Sequence, residues 1–319
     1  MKVVIVGCGA IADRWARVLT ADPRVEVAAV VDPDLDRAEQ LAARRCPAAV
    51  PATSLRQACT AVEAKLVANL TPPQTHAAVS REALAADLHV LTEKPLALRV
   101  AEAAELAELA RANRRALVVM HNRARDPEFL AFTRQVTAAR RGPLAVTADV
   151  AVDLPNPGFR RDQPLPVTTD LAVHAFDQVQ ALVSAAPAQV TATEVPLPFL
   201  GAHCGLAAIT VAFADGSVLC YRGGYTGRGL ATTAVGTWRV DGPDLAARWE
   251  PPEQPSSVRT PAYQQCITAM VDTVQAVTAG AAPPWPTLAL RSVAMLQATL
   301  TAATTGRPAD VPPIPRAQP

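Results

Sequence analysis

The chain has 319 residues, enough to fill two cores of ordinary size, so two domains are expected. Half of the residues are hydrophobic and 18% are charged, which excludes an intrinsically disordered chain. Lys and Arg at 30 against Asp and Glu at 29 give a formal charge of +1, with no basic cluster long enough to follow a phosphate backbone, and this excludes nucleic acid and anionic membrane as partners.

No apolar run approaches the length of a transmembrane helix, and the N-terminal run is too short for a signal-peptide core, so a cytoplasmic location is expected. Cys8, Cys46, Cys59, Cys204, Cys220 and Cys266 are scattered without a CxxC pair, as buried thiols in a reducing compartment are. Asn69-Leu70-Thr71 matches a glycosylation sequon, which carries no weight without a secretion signal.

Lys2 to Val6 reads as a buried strand that breaks into Gly7-Cys8-Gly9-Ala10-Ile11-Ala12 and then into a helical pattern at Trp15, Val18 and Leu19. This is GxGxxA between a strand and a helix. Gly7 permits the tight turn, Gly9 lets backbone approach a pyrophosphate, and the helix N-terminus with Ala10 and Ile11 offers free N–H groups to it. A second strand, Val25 to Val31, ends at Asp32, about twenty residues on, where the dinucleotide fold places its ribose-binding acid. A carboxylate there accepts hydrogen bonds from both ribose hydroxyls and repels a 2′-phosphate, which favours NAD over NADP. Asp34 reads as the cap of a helix from Leu35 to Arg45, and Arg37 is the nearby cation that could reverse the preference.

A short segment near Ala49 is followed by the strand Lys65 to Leu70, ending in Thr71-Pro72-Pro73, and by the helix His76 to Ala86. The strand Leu88 to Leu91 then runs into Thr92-Glu93-Lys94-Pro95. Taken alone, Glu93 and Lys94 are ordinary solvated charges; at the end of a buried strand they stand where open α/β sheets bind ligands. A helix from Val100 to Arg111 and a strand from Ala116 to Met120 complete an alternation that specifies a doubly wound parallel Rossmann sheet over residues 1–122.

Residues 123–319 change character. The helix Pro127 to Ala139 and the strand Leu144 to Val152 lead into a proline-rich stretch, residues 154–161, whose two arginines suit an oxygen-rich or anionic substrate. From Val167 the pattern is helical, and spacings of four and three put Asp170, His174 and Asp177 on one face. A core histidine satisfied by Asp170 or Asp177 explains His174 as well as a catalytic role does. Strands follow at Gln189 to Val195, Leu206 to Phe213, Ser217 to Tyr225 and Ala231 to Val240, with Asp215-Gly216 as a hairpin turn. They specify an α+β domain with a mainly antiparallel sheet, one face of which is free for a partner subunit. Helices from Ala262 to Thr278 and Thr287 to Thr304 and an extended proline-rich tail close the chain.

With these motifs in order, the chain resembles the Gfo/Idh/MocA family of glucose-fructose oxidoreductases and inositol dehydrogenases. The resemblance extends to the Asn122-Arg123 to Asp126-Pro127 crossover, the strand Gly236 to Val240 and the ending Gly306-Arg307-Pro308. It implies NAD or NADP as cofactor, bound by Gly7, Gly9, Ala10, Ile11, Asp32, Thr71, Pro72, His76 and Glu93, a C-terminal sheet that is large and open, and a homodimer or homotetramer built through that sheet. It implies hydride transfer at a carbon bearing oxygen, with Lys94 on the reacting oxygen, His174 exchanging its proton, and Asp170 holding the substrate or orienting the imidazole. Asn122 and Arg161 join these three as substrate contacts, and Lys94-Pro95 is expected in cis. Thr168-Thr169 stand where many members carry glycines and Ala172 where they carry glycine or serine, at sites that border the substrate pocket, so a small-molecule substrate other than the ordinary monosaccharide or inositol is expected: a sugar, cyclitol or sugar-derived ketone, with a ketone or imine of natural-product biosynthesis as the alternative. Two readings compete with catalysis of this kind. One is a redox sensor that binds NAD(P) without turnover; the other uses Asp170 and His174 as metal ligands with His203 or Cys204, which the charge of Lys94 would oppose, so no metal is expected.

Overall fold

The structure is a computed structural model that describes residues 1–153, 158–198, 204–225, 232, 235–251 and 260–316. By internal contacts the described chain forms two units, residues 1–120 with 263–287 and residues 121–262 with 288–314.

The first unit alternates β1 (Lys2–Val6), α1 (Ala12–Ala21), β2 (Glu26–Val31), α2 (Leu35–Arg45), β3 (Val50–Ala52), α3 (Leu55–Ala61), β4 (Leu66–Asn69), α4 (His76–Ala85), β5 (His89–Thr92), α5 (Val100–Ala112) and β6 (Leu117–Val119). The six strands pair in parallel in the order β3-β2-β1-β4-β5-β6. The strand order reverses between β1 and β4, and the glycine loop leaves the carboxyl end of β1 at that switch point. Helices cover both faces, so Val3 to Val6 are all buried and read as an unbroken apolar run. The core is completed from far along the chain: Ile267, Met270, Val271 and Val274 of the helix Thr260–Thr278 pack in one cluster with Val3, Ile5, Trp15 and Leu19.

Two elements of this unit are too short for their periodicity to be legible, β3 and α3. The latter starts where the Ser54 hydroxyl accepts the Gln57 N–H at 3.2 Å. Asp34 corrects an expectation. It occupies the cap position of α2, but its side chain makes no capping bond and instead pairs with Arg37 Nε at 3.2 Å.

In the second unit, α6 (Pro127–Ala139) begins where Asp126 Oδ1 accepts the N–H groups of Glu128 and Phe129, with proline at the first helical position. After β7 (Ala145–Val152) and a 3₁₀ turn at Gly158–Asp162, the chain winds as a π-helix over Val167–Ala172 and continues as α7 (Val173–Val179). Then come β8 (Pro187–Pro196), β9 (Gly205–Phe213), β10 (Val218–Tyr225), β11 (Thr237–Gly242) and β12 (Leu245–Trp249), the helix Thr287–Thr305, and the two-residue β13 (Ala309–Asp310). The sheet order is β12-β11-β7-β10-β9-β8-β13, and every pairing except β7 with β10 is antiparallel. Alternation sorts its faces: Ala207, Ile209, Val211 and Phe213 of β9 are buried, while Ala208 and Ala212 between them are exposed.

The described part of the strand expected from Ala231 is confined to Thr237–Gly242, and β12 adds a strand not anticipated. Leu154 to Pro157, His203 and residues 226–231 lie outside the described residues. Among the described residues, no helix is long and apolar enough to cross a membrane.

Candidate functional site

The residues singled out from the sequence fall in both units, and each group is built within its own. In the first, Gly7 has φ +96°, and a Cβ there would lie 2.7 Å from the Leu70 carbonyl group and 2.8 Å from Thr71 N. Only glycine lets the loop pass so close to the end of β4. A Cβ on Gly9 would meet nothing within 4 Å, so the space above the loop is open where a pyrophosphate would approach. Ala10 is exposed and Ile11 half-buried at the start of α1, which no side chain caps. Asp13 in its first turn would repel a phosphate, but Arg44 and Arg45 reach its carboxylate at 3.0 and 2.7 Å, and hydrogen bonding to Arg45 holds the acid below its usual range.

Asp32 is 8% exposed at the end of β2 and ties the loops together: Oδ2 accepts the Cys8 N–H at 2.9 Å and Oδ1 the Asp34 N–H at 3.1 Å. A carboxylate has about four acceptor positions, so ribose hydroxyls can still be accommodated. These groups fit a dinucleotide.

Asn69, whose sequon reading proves irrelevant, organises the next loop. Fully buried, it accepts the Thr71 hydroxyl at 2.7 Å and donates to the His76 carbonyl at 2.9 Å and Ser80 Oγ at 3.0 Å. Pro72 is exposed beside it. His76 is buried, with Nε2 2.6 Å from the Thr71 carbonyl oxygen and Nδ1 2.6 Å from that of Pro95, so both ring nitrogens face backbone. Burial lowers its pKa. The ring therefore sits between the loops after β4 and β5, and as a neutral imidazole it donates to one of the two carbonyls.

The Lys94–Pro95 peptide is cis. Lys94 and Glu93 are half-buried. Glu93 Oε1 accepts the Trp15 indole N–H at 2.9 Å and the hydroxyl of Tyr263, a residue no local pattern could have associated with it. Burial, and then the charge of Glu93, keep the Tyr263 phenol well above its ordinary pKa and hence a donor.

In the second unit, Asp170 and His174 are buried on the π-helix and at the start of α7. Asp170 Oδ2 accepts Arg160 Nε at 2.6 Å and the Tyr225 hydroxyl from β10. Arg160 also lies over the Phe159 ring, 4.4 Å from its centroid. Of the two arginines in that stretch, Arg160 is thus the one drawn to Asp170, and Arg161 is exposed. Asn122 is half-buried at the start of this unit. Asp177 leaves the group expected from helical spacing: its Oδ2 lies 2.8 Å from His121 Nδ1 and its Oδ1 accepts from Ser292.

This combination defines a class, a dinucleotide-binding Rossmann unit joined to a mainly antiparallel α+β unit. Residues 1–121 match the family model described as an oxidoreductase family with an NAD-binding Rossmann fold, GFO_IDH_MocA. The chain is 33% identical over 194 residues to a myo-inositol dehydrogenase, Hyg17, of Streptomyces leeuwenhoekii, covering 60% of this chain and 58% of that protein. It is 31% identical over 212 residues to an inositol 2-dehydrogenase of Corynebacterium glutamicum strain R, covering 65% and 60%. The chain thus spans about three fifths of the length of these relatives. Its fold matches that of GenD2 from gentamicin A biosynthesis, solved in complex with NAD, with a TM-score of 0.85 at 23% identity over 98% of this chain and 97% of that one. Residues 1–121 are thus similar to the NAD-binding domain of the Gfo/Idh/MocA oxidoreductases.

Proposed function

We propose that the protein is a nicotinamide-dependent dehydrogenase that moves a hydride between its cofactor and a carbinol or ketone carbon of a sugar, cyclitol or sugar-derived substrate. The observation that carries this reading is an NAD-binding Rossmann domain whose fifth strand delivers Glu93-Lys94-Pro95 to the sheet edge, with the lysine following a carboxylate fixed by Trp15 and Tyr263. The inositol dehydrogenases among its relatives support a cyclitol.

NAD is the proposed dinucleotide. Asp32 stands at the end of β2 to accept ribose hydroxyls, and Arg37, which would otherwise attract a 2′-phosphate, is paired with Asp34. When bound, the nicotinamide supplies the hydride acceptor or donor. The Lys94 ammonium hydrogen-bonds the reacting oxygen and stabilises its developing negative charge. His174 takes the hydroxyl proton in oxidation and returns it in reduction, the proton transfer that a positioned imidazole most often performs. Asp170, its carboxylate aimed by Arg160 and Tyr225, holds a substrate hydroxyl or orients the imidazole. Asn122 and Arg161 contribute further substrate contacts.

Thr168, Thr169 and Ala172, which stand where many family members carry other small residues, are all buried in the π-helix that carries Asp170. They favour a second reading of the substrate, a ketone or imine of natural-product biosynthesis. The exposed face of the C-terminal sheet, where Thr147, Thr191, Thr193, Thr210 and Arg222 border a hollow of about 560 Å³, is proposed as the surface that joins two or four copies.

The test is turnover of the purified full-length chain with NAD or NADP across inositols, aldoses, their ketone derivatives and amino sugars. Oxidation or reduction of one of them is expected, with Lys94→Ala lowering kcat by about a hundredfold or more while NAD affinity is kept. Binding of NADH without turnover on the whole panel would favour the sensor.

A further inference from the structure

On the strand β8, Val190, Ala192 and Glu194 share the face turned toward the core, as the two-residue period requires. Val190 is fully buried there, so an acid two positions past Ala192 interrupts an apolar row. Its carboxylate is committed to backbone. One oxygen accepts the Val167 N–H at 2.9 Å and the other the Thr168 N–H at 2.8 Å. Burial raises the pKa of this acid, and the Thr168 side chain and then the two amide donors oppose that shift.

The first N–H groups of any helix lack an intrahelical acceptor. Here the position that would cap the helix is Pro166, which has no side-chain acceptor, and no local cap is made. The segment then winds as a π-helix, a form that is rare and short because α-helical hydrogen bonding competes with it. Glu194 holds the two amides at the start of this π-turn, three and two residues before Asp170, and the same helix continues to His174.

We propose that Glu194 is a positioning residue: by binding the Val167 and Thr168 amides it fixes the winding of the helix that carries Asp170 and His174, and so the direction of those two side chains. The effect on rate rests on the function proposed above; the clamp on the helix does not.

The experiment uses full-length Glu194→Ala and Glu194→Gln. Alanine offers no acceptor, and glutamine offers one oxygen while turning an NH₂ toward the other amide. Hydrogen–deuterium exchange of the segment 165–175 is expected to quicken by about tenfold in Glu194→Ala and less in Glu194→Gln, with NAD affinity unchanged. On any substrate that the wild type turns over, kcat/KM per folded molecule is expected to fall by about tenfold in Glu194→Ala, with a displaced pH profile and partial recovery in Glu194→Gln. Unchanged exchange in this segment overturns the clamp. Faster exchange with wild-type kcat/KM and pH profile confines Glu194 to stability and overturns the positioning role. If the wild type turns over nothing, the parent reading fails by itself, and the His174 imidazole resonances decide this one: a shift in Glu194→Ala supports the proposal, and wild-type resonances overturn it. Should Glu194→Ala not fold, Glu194→Gln decides each comparison.

Discussion

The indole N–H of Trp15 donates to Glu93 Oε1 at 2.9 Å, joining the helix that follows the glycine loop to the residue beside Lys94. Tyr263 donates to the same oxygen. In Glu93→Ala, the Tyr263 hydroxyl loses its acceptor while the Trp15 N–H keeps the Tyr263 oxygen at 2.9 Å, and the cost expected is about 1–3 kcal/mol of unfolding free energy. Glu93→Gln keeps an acceptor oxygen at that place and is expected to cost about 1 kcal/mol. Urea denaturation measures both; equal losses in the two variants would show that the acceptor oxygen is not what matters.

Asp32 is expected to set the choice of dinucleotide. Asp32→Ser removes the negative charge that repels a 2′-phosphate while keeping a small acceptor for the Cys8 amide. The ratio of kcat/KM for NAD to that for NADP should fall by about tenfold or more, which corresponds to about 1.4 kcal/mol. A ratio that stays at the wild-type value would take Asp32 off the ribose.

The bridge made by His76 should be visible in acid. Burial lowers its folded-state pKa, so the neutral ring is favoured in the fold, and stability present above the unfolded value of about 6.5 is lost as pH falls through the lower folded value. His89, lowered by burial and then by Arg115, acts with the same sign. Melting temperature should therefore drop between pH 7.5 and pH 5. His76→Gln should reduce that slope, with the remainder due to His89 and other groups; a slope identical to wild type would remove His76 from the account.

Thiol chemistry separates the cysteines. Burial, and then the charge of Asp32, push the Cys8 thiol up to about 12, whereas Cys220 lies exposed on the open sheet. Because the thiolate is the reactive form and Cys220 lies on the face proposed to join copies, iodoacetamide at pH 8 should label Cys220 first in chains dissociated by dilution and leave Cys8 nearly untouched. Peptide mass spectrometry reads the order, and early labelling of Cys8 would contradict the burial of its thiol.

What could be seen in the chain beforehand follows from the range of the forces involved. The strand at Lys2–Val6, the glycine loop, Asp32 at the end of β2 and the helix that starts at Asp126-Pro127 each announce themselves within a few residues, because turn sterics, caps and periodicity are local. Asn69 looked like a sequon because its role depends on Thr71, His76 and Ser80 folding around it. Tyr263 on Glu93, Tyr225 on Asp170 and His121 on Asp177 are pairings across long stretches of chain, and no spacing rule reaches that far. The helical spacing of Asp170, His174 and Asp177 says nothing of the distant His121 and Ser292 that Asp177 meets. Glu194 did leave a local trace, an acid on the inward register of an alternating strand.

The helix Thr260–Thr278, which supplies Ile267, Met270, Val271 and Val274 to the first unit's core, bears on how the protein is made. The ribosome finishes all six strands of that sheet long before this helix leaves the exit tunnel. Until then, the surface around Val3, Ile5 and Trp15 lacks its cover, and the nascent chain must be kept from sticking to its neighbours. A fragment ending at Met120 would carry the same bare patch permanently, and adding the distant helix as a separate peptide should be what renders it soluble.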